Sequence, residues 1–129
     1  MPKQIINPST MAKPTGYSYA VKKRGTPVFI SGQVALAADG TLVGPGDAAA
    51  QTEQAFANLR TVVEACGGHM DDIVKITVFV TDAAFRPAVA AARQRHFAEG
   101  AYPASTYLVV SALAIPALLV EIEAVAMIE

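Results

Sequence analysis

The residues best suited to chemistry lie near the end of the chain, where Val120-Glu121-Ile122-Glu123-Ala124-Val125-Ala126-Met127 alternates strictly in polarity from Val120 onward. Successive side chains of a strand point to opposite faces, so Glu121 and Glu123 share a face with Val125 and Met127, while Val120, Ile122, Ala124 and Ala126 line the other. The two carboxylates stand roughly 6.5 Å apart, twice the strand rise per residue, within reach of one cavity or one patch of water. A carboxylate in a pocket closed by a neighbouring subunit can orient or deprotonate water. One on the solvated face of a half-covered sheet does nothing of the kind. The pattern leaves both readings open.

Other candidates are weaker. Ser31-Gly32-Gln33 follows an apolar run, and a glycine there lets a neighbour or a ligand approach the backbone closely, or else marks a bulge. Cys66 falls in the apolar stripe of a helix and reads as a buried, inert thiol with no histidine placed to activate it. His69 follows Gly67-Gly68 at an exposed helix end, and His96 near the end of a second helix has a sufficient reason in the helix dipole. No histidine spacing suggests a metal, a single cysteine excludes a thiolate cluster, and there is no phosphate loop, dinucleotide fingerprint or nucleophile elbow.

The elements that must position these residues can be read in order. Residues 1–16, with Pro2, Pro8, Pro14 and Gly16, form an extended lead-in. Tyr17 to Lys23 and Pro27 to Ser31 read as strands joined by Arg24-Gly25-Thr26 into a hairpin. Asp39-Gly40 is a turn and Gly44-Pro45-Gly46 a loop. Asp47 caps a helix running from Ala48 to about Cys66, with Phe56, Leu59, Val63 and Cys66 as its stripe and Gly67-Gly68 as its stop. Ile73 to Thr81 is a strand. Pro87 opens a second helix that reaches about Ala98, with Phe85, Val89, Ala92 and His96 on one side. Ala104 to Val110 and the segment from Val120 complete the order β-β-α-β-α-β-β, an α+β layer with two helices on one face of a mixed sheet. The second face then needs a cover that the chain does not supply, and subunit packing is the natural one.

Composition agrees. The 129 residues suit a single domain, residues 1–129, with a real core. A hydrophobic fraction of 53% is high for a small domain and points to apolar surface covered by other subunits. The net charge of −1 gives little attraction for polyanions. The one basic cluster, Lys22-Lys23-Arg24, reads as an exposed hairpin tip rather than a nucleic-acid footprint. No apolar run approaches the roughly 20 residues of a spanning helix, so no membrane partner is expected. The amino terminus carries no export signal, and a lone cysteine suits a reducing compartment, so the expected location is the cytoplasm.

Taken together, Gly16-Tyr17-Ser18-Tyr19-Ala20-Val21, Val28-Phe29-Ile30-Ser31-Gly32-Gln33-Val34, Asp71 through Asp82, Tyr102-Pro103-Ala104-Ser105-Thr106 and Val120 through Ala126 resemble, in order, the RidA (YjgF-like) family of imine deaminases. The resemblance spans about residues 15–127. It implies a chorismate mutase-like fold, a homotrimer, small-molecule clefts between subunits, and hydrolysis of an imine or enamine to a carbonyl and ammonia without a cofactor. Position by position, the family's water-positioning glutamate matches Glu121, and its pocket-edge serine and glycine match Ser31 and Gly32. Its carboxylate-binding arginine falls at Ser105, a pocket tyrosine at Ser18 with Tyr17 and Tyr19 beside it, and a helix asparagine at Ala90. The implied substrate-binding set is Ser18, Tyr19, Ser31, Gly32, Phe85, Ser105 and Thr106.

A serine hydroxyl cannot replace the charged fork of an arginine. Losing such a pair removes on the order of 1.5–3 kcal/mol of carboxylate binding. The expectation is a deaminase whose substrate is not the usual small 2-imino acid. The alternative is a trimeric protein of this fold that binds a metabolite without turning it over. A ribonuclease role finds no interleaved basic and aromatic stripe to support it.

Overall fold

The alternation of the last segment is realised as an interior strand of a sheet. In a computed structural model that describes residues 2–129, the elements are β1 (Gln4–Ile6), β2 (Ala20–Lys22), β3 (Thr26–Gln33), α1 (Ala48–Ala65), β4 (Ile73–Val80), α2 (Arg86–His96), β5 (Ala104–Val109) and β6 (Val120–Ile128), with short 3-10 turns before β4 and α2. Four strands form a mixed sheet in the order β3-β6-β4-β5, in which β4 and β5 are parallel and the other pairs antiparallel. Both helices lie on one face. This is the α+β, chorismate mutase-like arrangement expected from the sequence.

Each helix has a local cause. The Asp47 carboxylate accepts from the Ala50 N–H at 3.0 Å and caps α1. At its far end Gly67, at φ +86°, turns the chain so that the Gly68 N–H donates to the Val63 carbonyl. Pro87 sits in the first turn of α2, where its missing N–H costs nothing. From α1, Phe56, Leu59 and Val63 are fully buried, as are Ile76, Val78 and Val80 of β4 and Val120 and Ile122 of β6. Each large side chain removed from water this way stabilises the fold by about 1.5–3 kcal/mol.

The opposite face is bare. Phe29, Val125, Lys75, Thr77, Thr106, Phe79, Glu121 and Leu108 share it through the strand register. Phe29 is 77% exposed and Leu108 42% exposed. The helices therefore cover one side of the sheet only.

Three expectations need correction. The lead-in contains a strand, β1, which pairs with β2. The segment Arg24-Gly25-Thr26 is a corner between two sheets, not a hairpin, because β3 pairs with β6 instead of β2. Lys23 draws the chain inward there: its ammonium donates to the Met127 carbonyl at 2.9 Å and lies 3.2 Å from Asp72, with both side chains largely buried. Lys22-Lys23-Arg24 is thus not a free basic tip. Finally, Cys66 is exposed. It occupies the C-cap of α1, beyond the last turn that packs on the sheet, so the periodicity runs on where no core receives it.

The histidines have structural partners. His96 stacks on Phe56 with ring centroids 4.9 Å apart, and its Nε2 is 2.7 Å from Glu53. Arg95 pairs with the same carboxylate. The His69 N–H donates to Asp72 at 2.8 Å.

Burial works against the Asp72 carboxylate, but the His69 N–H and the Lys23 ammonium outweigh it and hold the group below the usual carboxylate range. A carboxylate depressed in the folded state stabilises above its unfolded pKa, and that stability is lost as pH falls through the folded value. Thermal unfolding from neutral pH to pH 3 should therefore show a loss concentrated below about pH 4. Asp72→Asn should flatten that loss and cost on the order of 1–3 kcal/mol at neutral pH.

Candidate functional site

Glu121 projects from β6 onto the bare face, opposite Phe79 of β4. Its neighbour across the other edge is Gly32. Between Ile30 and Gln33, three steps along β3 oppose two along β6, which places a bulge at Ser31-Gly32. The bulge brings the backbone under the carboxylate. A methyl group on Gly32 would stand 2.6 Å from the Glu121 carboxyl carbon and 2.8 Å from its Cγ, so the side chain can lie down only because residue 32 has none. Both sequence readings of this glycine, a bulge and a close approach, hold at once. Among the described residues, Glu121 makes no ion pair and no side-chain hydrogen bond. It is a half-buried carboxylate with its lone pairs free.

Ser31 is exposed on the same face, and Thr106 stands two strands away with its hydroxyl engaged by the Lys75 ammonium. Burial lowers the pKa of Lys75, and the nearby Glu123 charge opposes that shift. The bare face thus carries two carboxylates, Glu121 and Glu123, the hydroxyls of Ser31, Thr77 and Thr106, and a partly desolvated amine within an apolar surround.

Ser105 is elsewhere. It pairs in register with Ile76, whose side chain points into the core, so Ser105 faces the helices and not Glu121. There it lines a cavity of about 270 Å³ between α2 and the edge of the sheet, with Thr15, Tyr17, Arg86, Val89, Ala90, Arg93 and Tyr107. Within one chain the expected site is split between two faces of the sheet.

The remaining expected residues support the walls. Ser18 is buried, its hydroxyl donating to the Tyr102 carbonyl at 2.6 Å and its N–H to the Pro103 carbonyl, which pins residues 16–18 along the start of β5. The Tyr19 hydroxyl donates to the Ala12 carbonyl, and its ring meets Tyr17 edge-on at 5.8 Å. Phe85 packs against the core at the start of α2. Tyr17, rather than Ser18 or Tyr19, reaches the cavity.

Sequence reasoning missed Arg86, Arg93 and Tyr107. The signal was present: Arg86, Ala90 and Arg93 recur at spacings of four and three, a stripe with an arginine at each end that runs beside the apolar side of the helix. Among the described residues there is no cluster of three or more His, Cys, Asp or Glu side chains able to hold a metal, and no helix is long and apolar enough to cross a membrane.

The family model described as endoribonuclease L-PSP matches residues 8–128. A 2-iminobutanoate/2-iminopropanoate deaminase of Dermatophagoides farinae is 34% identical over 129 residues, covering 99% of this chain and 98% of that one. Among solved structures, the Rid-family protein YyfB of Yersinia pestis, whose function is unknown, superposes with a TM-score of 0.91 at 41% identity, covering 99% of this chain and all of the other. RidA from an Antarctic Psychrobacter superposes with a TM-score of 0.74 at 36% identity, covering 91% of this chain and 92% of that one.

The Gly32 contact is directly testable. Gly32→Ala should leave the fold intact, since the obstructed group is the flexible end of a side chain, and should cost no more than about 1–3 kcal/mol. A crystal structure of the variant should show the Glu121 carboxylate displaced from its place over the bulge.

Proposed function

The chain belongs to the endoribonuclease L-PSP family, the group of Rid and YjgF proteins, and we propose that it is a hydrolytic deaminase of a small imine or enamine, working in clefts between subunits of a homotrimer. The observation that carries this reading is the free, half-buried carboxylate of Glu121 over the Gly32 bulge. A paired carboxylate would have its lone pairs occupied, whereas this one can accept a proton from water.

The chemistry balances without an added group. Glu121 takes a proton from water as the oxygen bonds to the imine carbon and the C=N π pair moves to nitrogen. The protonated carboxyl returns that proton to nitrogen, and the regenerated carboxylate then carries the proton of the new hydroxyl to nitrogen as the C–N bond breaks, so that the carbonyl forms and ammonia leaves. Ser31 and the backbone beside Gly32 hold polar atoms of the substrate.

A second copy of the chain enters for two reasons. The bare face exposes Phe29 and Leu108 beside the glutamate and requires a cover. The Ser105 cavity lies on the other face, so only a neighbouring copy can bring it to a Glu121. The uncharged Ser105, at the family's arginine position, supports a substrate other than the usual small 2-imino acid. It also favours the alternative, a protein that binds a metabolite in the same clefts without turnover.

Ammonia release should be measured from freshly generated 2-iminopropanoate and from a panel of bulkier imines and enamines. At least one should turn over, and Glu121→Gln should lower the rate by about 10²–10⁴-fold while the oligomer, followed by light scattering, persists. Saturable binding across the panel with no ammonia would establish the alternative. Full turnover by Glu121→Gln would remove the role assigned to the glutamate.

A further inference from the structure

The cavity beside α2 holds more unsatisfied polarity than a structural gap requires. Arg93 Nε, Ser105 Oγ and Tyr107 Oη are all buried atoms without a hydrogen-bond partner, and all three residues line the same cavity. Buried donors are ordinarily paired, so three orphans in one place mark a position for a ligand that supplies acceptors. Arg86 stands at the cavity as well, its guanidinium carbon 5.9 Å from the centre of the Tyr107 ring. Among the described residues neither arginine has a carboxylate partner, in contrast to Arg95, two residues beyond Arg93, which pairs with Glu53.

The surroundings keep the Arg93 guanidinium in place. Gly16, at φ +75°, lies against it: a methyl group there would stand 2.7 Å from Nη2 and 3.2 Å from Nε. Ser18 fixes that segment to the backbone of Tyr102 and Pro103. Burial and then the Arg86 charge push Arg93 below its usual pKa range, and burial pushes the Tyr107 hydroxyl up. An arginine remains charged even so, so two like charges face one desolvated space with nothing of opposite sign.

We infer that this cavity is a carboxylate-binding site, in which Arg93, assisted by Arg86 and the hydroxyls of Ser105 and Tyr107, holds the acid group of the substrate from helix α2. The inference rests on the functional reading above and deepens it: the charge absent from position 105 is supplied by another element. The substrate is then an anionic imine or enamine whose carboxylate is held from the helix rather than from β5. At about 270 Å³ the space suits a small planar acid and is below the size typical of drug-sized ligands. Arg93 and Arg86 act here as specificity determinants, not as groups that move protons.

The test uses the full-length oligomer and binding alone, by calorimetry at low salt, with benzoate as probe, benzamide as its neutral counterpart and inorganic phosphate as a second anion. Benzoate should bind saturably, benzamide at least tenfold more weakly, and phosphate more weakly than benzoate. Arg93→Gln should weaken benzoate roughly tenfold to hundredfold. Arg93→Lys, which keeps the charge but loses the fork, should fall between, and Arg86→Gln, altering a more exposed residue, guards against loss of folding in the Arg93 variants. Equal binding of benzamide, or an unchanged benzoate affinity in both Gln variants, would overturn the site. Tighter binding of phosphate would overturn the carboxylate assignment. The same titration on Glu121→Gln should still show saturable benzoate binding preferred over benzamide. Loss of turnover with the clamp intact, or of the clamp with Glu121-dependent turnover intact, therefore tells the two proposals apart.

Discussion

Everything in this molecule depends on a sheet that is covered on one side only. The period of two in β6 sends Val120, Ile122, Ala124 and Ala126 into the helices and Glu121, Glu123, Val125 and Met127 away from them. The same register fixes β4 and β5, so that Ser105 and Glu121 leave the sheet in opposite directions. A one-residue slip in either strand would exchange the faces, and the buried set is too apolar to allow it. The core that stabilises the fold is thus also what divides the candidate site.

Much of this was legible in the sequence. The helix over α1 announced itself through Asp47, the Phe56-Leu59-Val63 stripe and Gly67-Gly68, and β6 through its alternation. What was not legible came from long-range contacts. The corner after β2 is held by Lys23 reaching Asp72 and Met127, the latter 104 residues away in sequence, and no local pattern encodes such partners. Cys66 followed the helical period faithfully, yet the core ended one turn before it.

The candidate site divided in the same way. Strand pattern placed Glu121 on the face away from Val120 and Ile122, and resemblance put Ser31 and Gly32 at a pocket edge. The cavity of Tyr17, Arg93 and Tyr107 could not, because it joins a loop, a helix and an edge strand. Ser18 and Tyr19 illustrate the difficulty: the side chains of adjacent residues in an irregular segment point where hydrogen bonds to Tyr102 and Ala12 send them. Only Tyr17 among the three faces the cavity. Charge reinforces the division, since the free carboxylate and the free guanidinium groups stand on opposite sides of the sheet and meet only if a second copy of the chain joins them.

Mixed oligomers show whether the two halves meet across a subunit boundary. Glu121→Gln removes the carboxylate from one half, and Ala90→Phe fills the cavity of the other. Differently tagged, co-expressed and purified through both tags, the two variants form oligomers in which some clefts combine an intact Glu121 from one chain with an intact cavity from its neighbour. Each variant alone should release little ammonia, and the mixed oligomers should regain a substantial share of wild-type activity. Mixed oligomers no more active than the sum of the two variants would contradict it, and would place the whole site within a single chain.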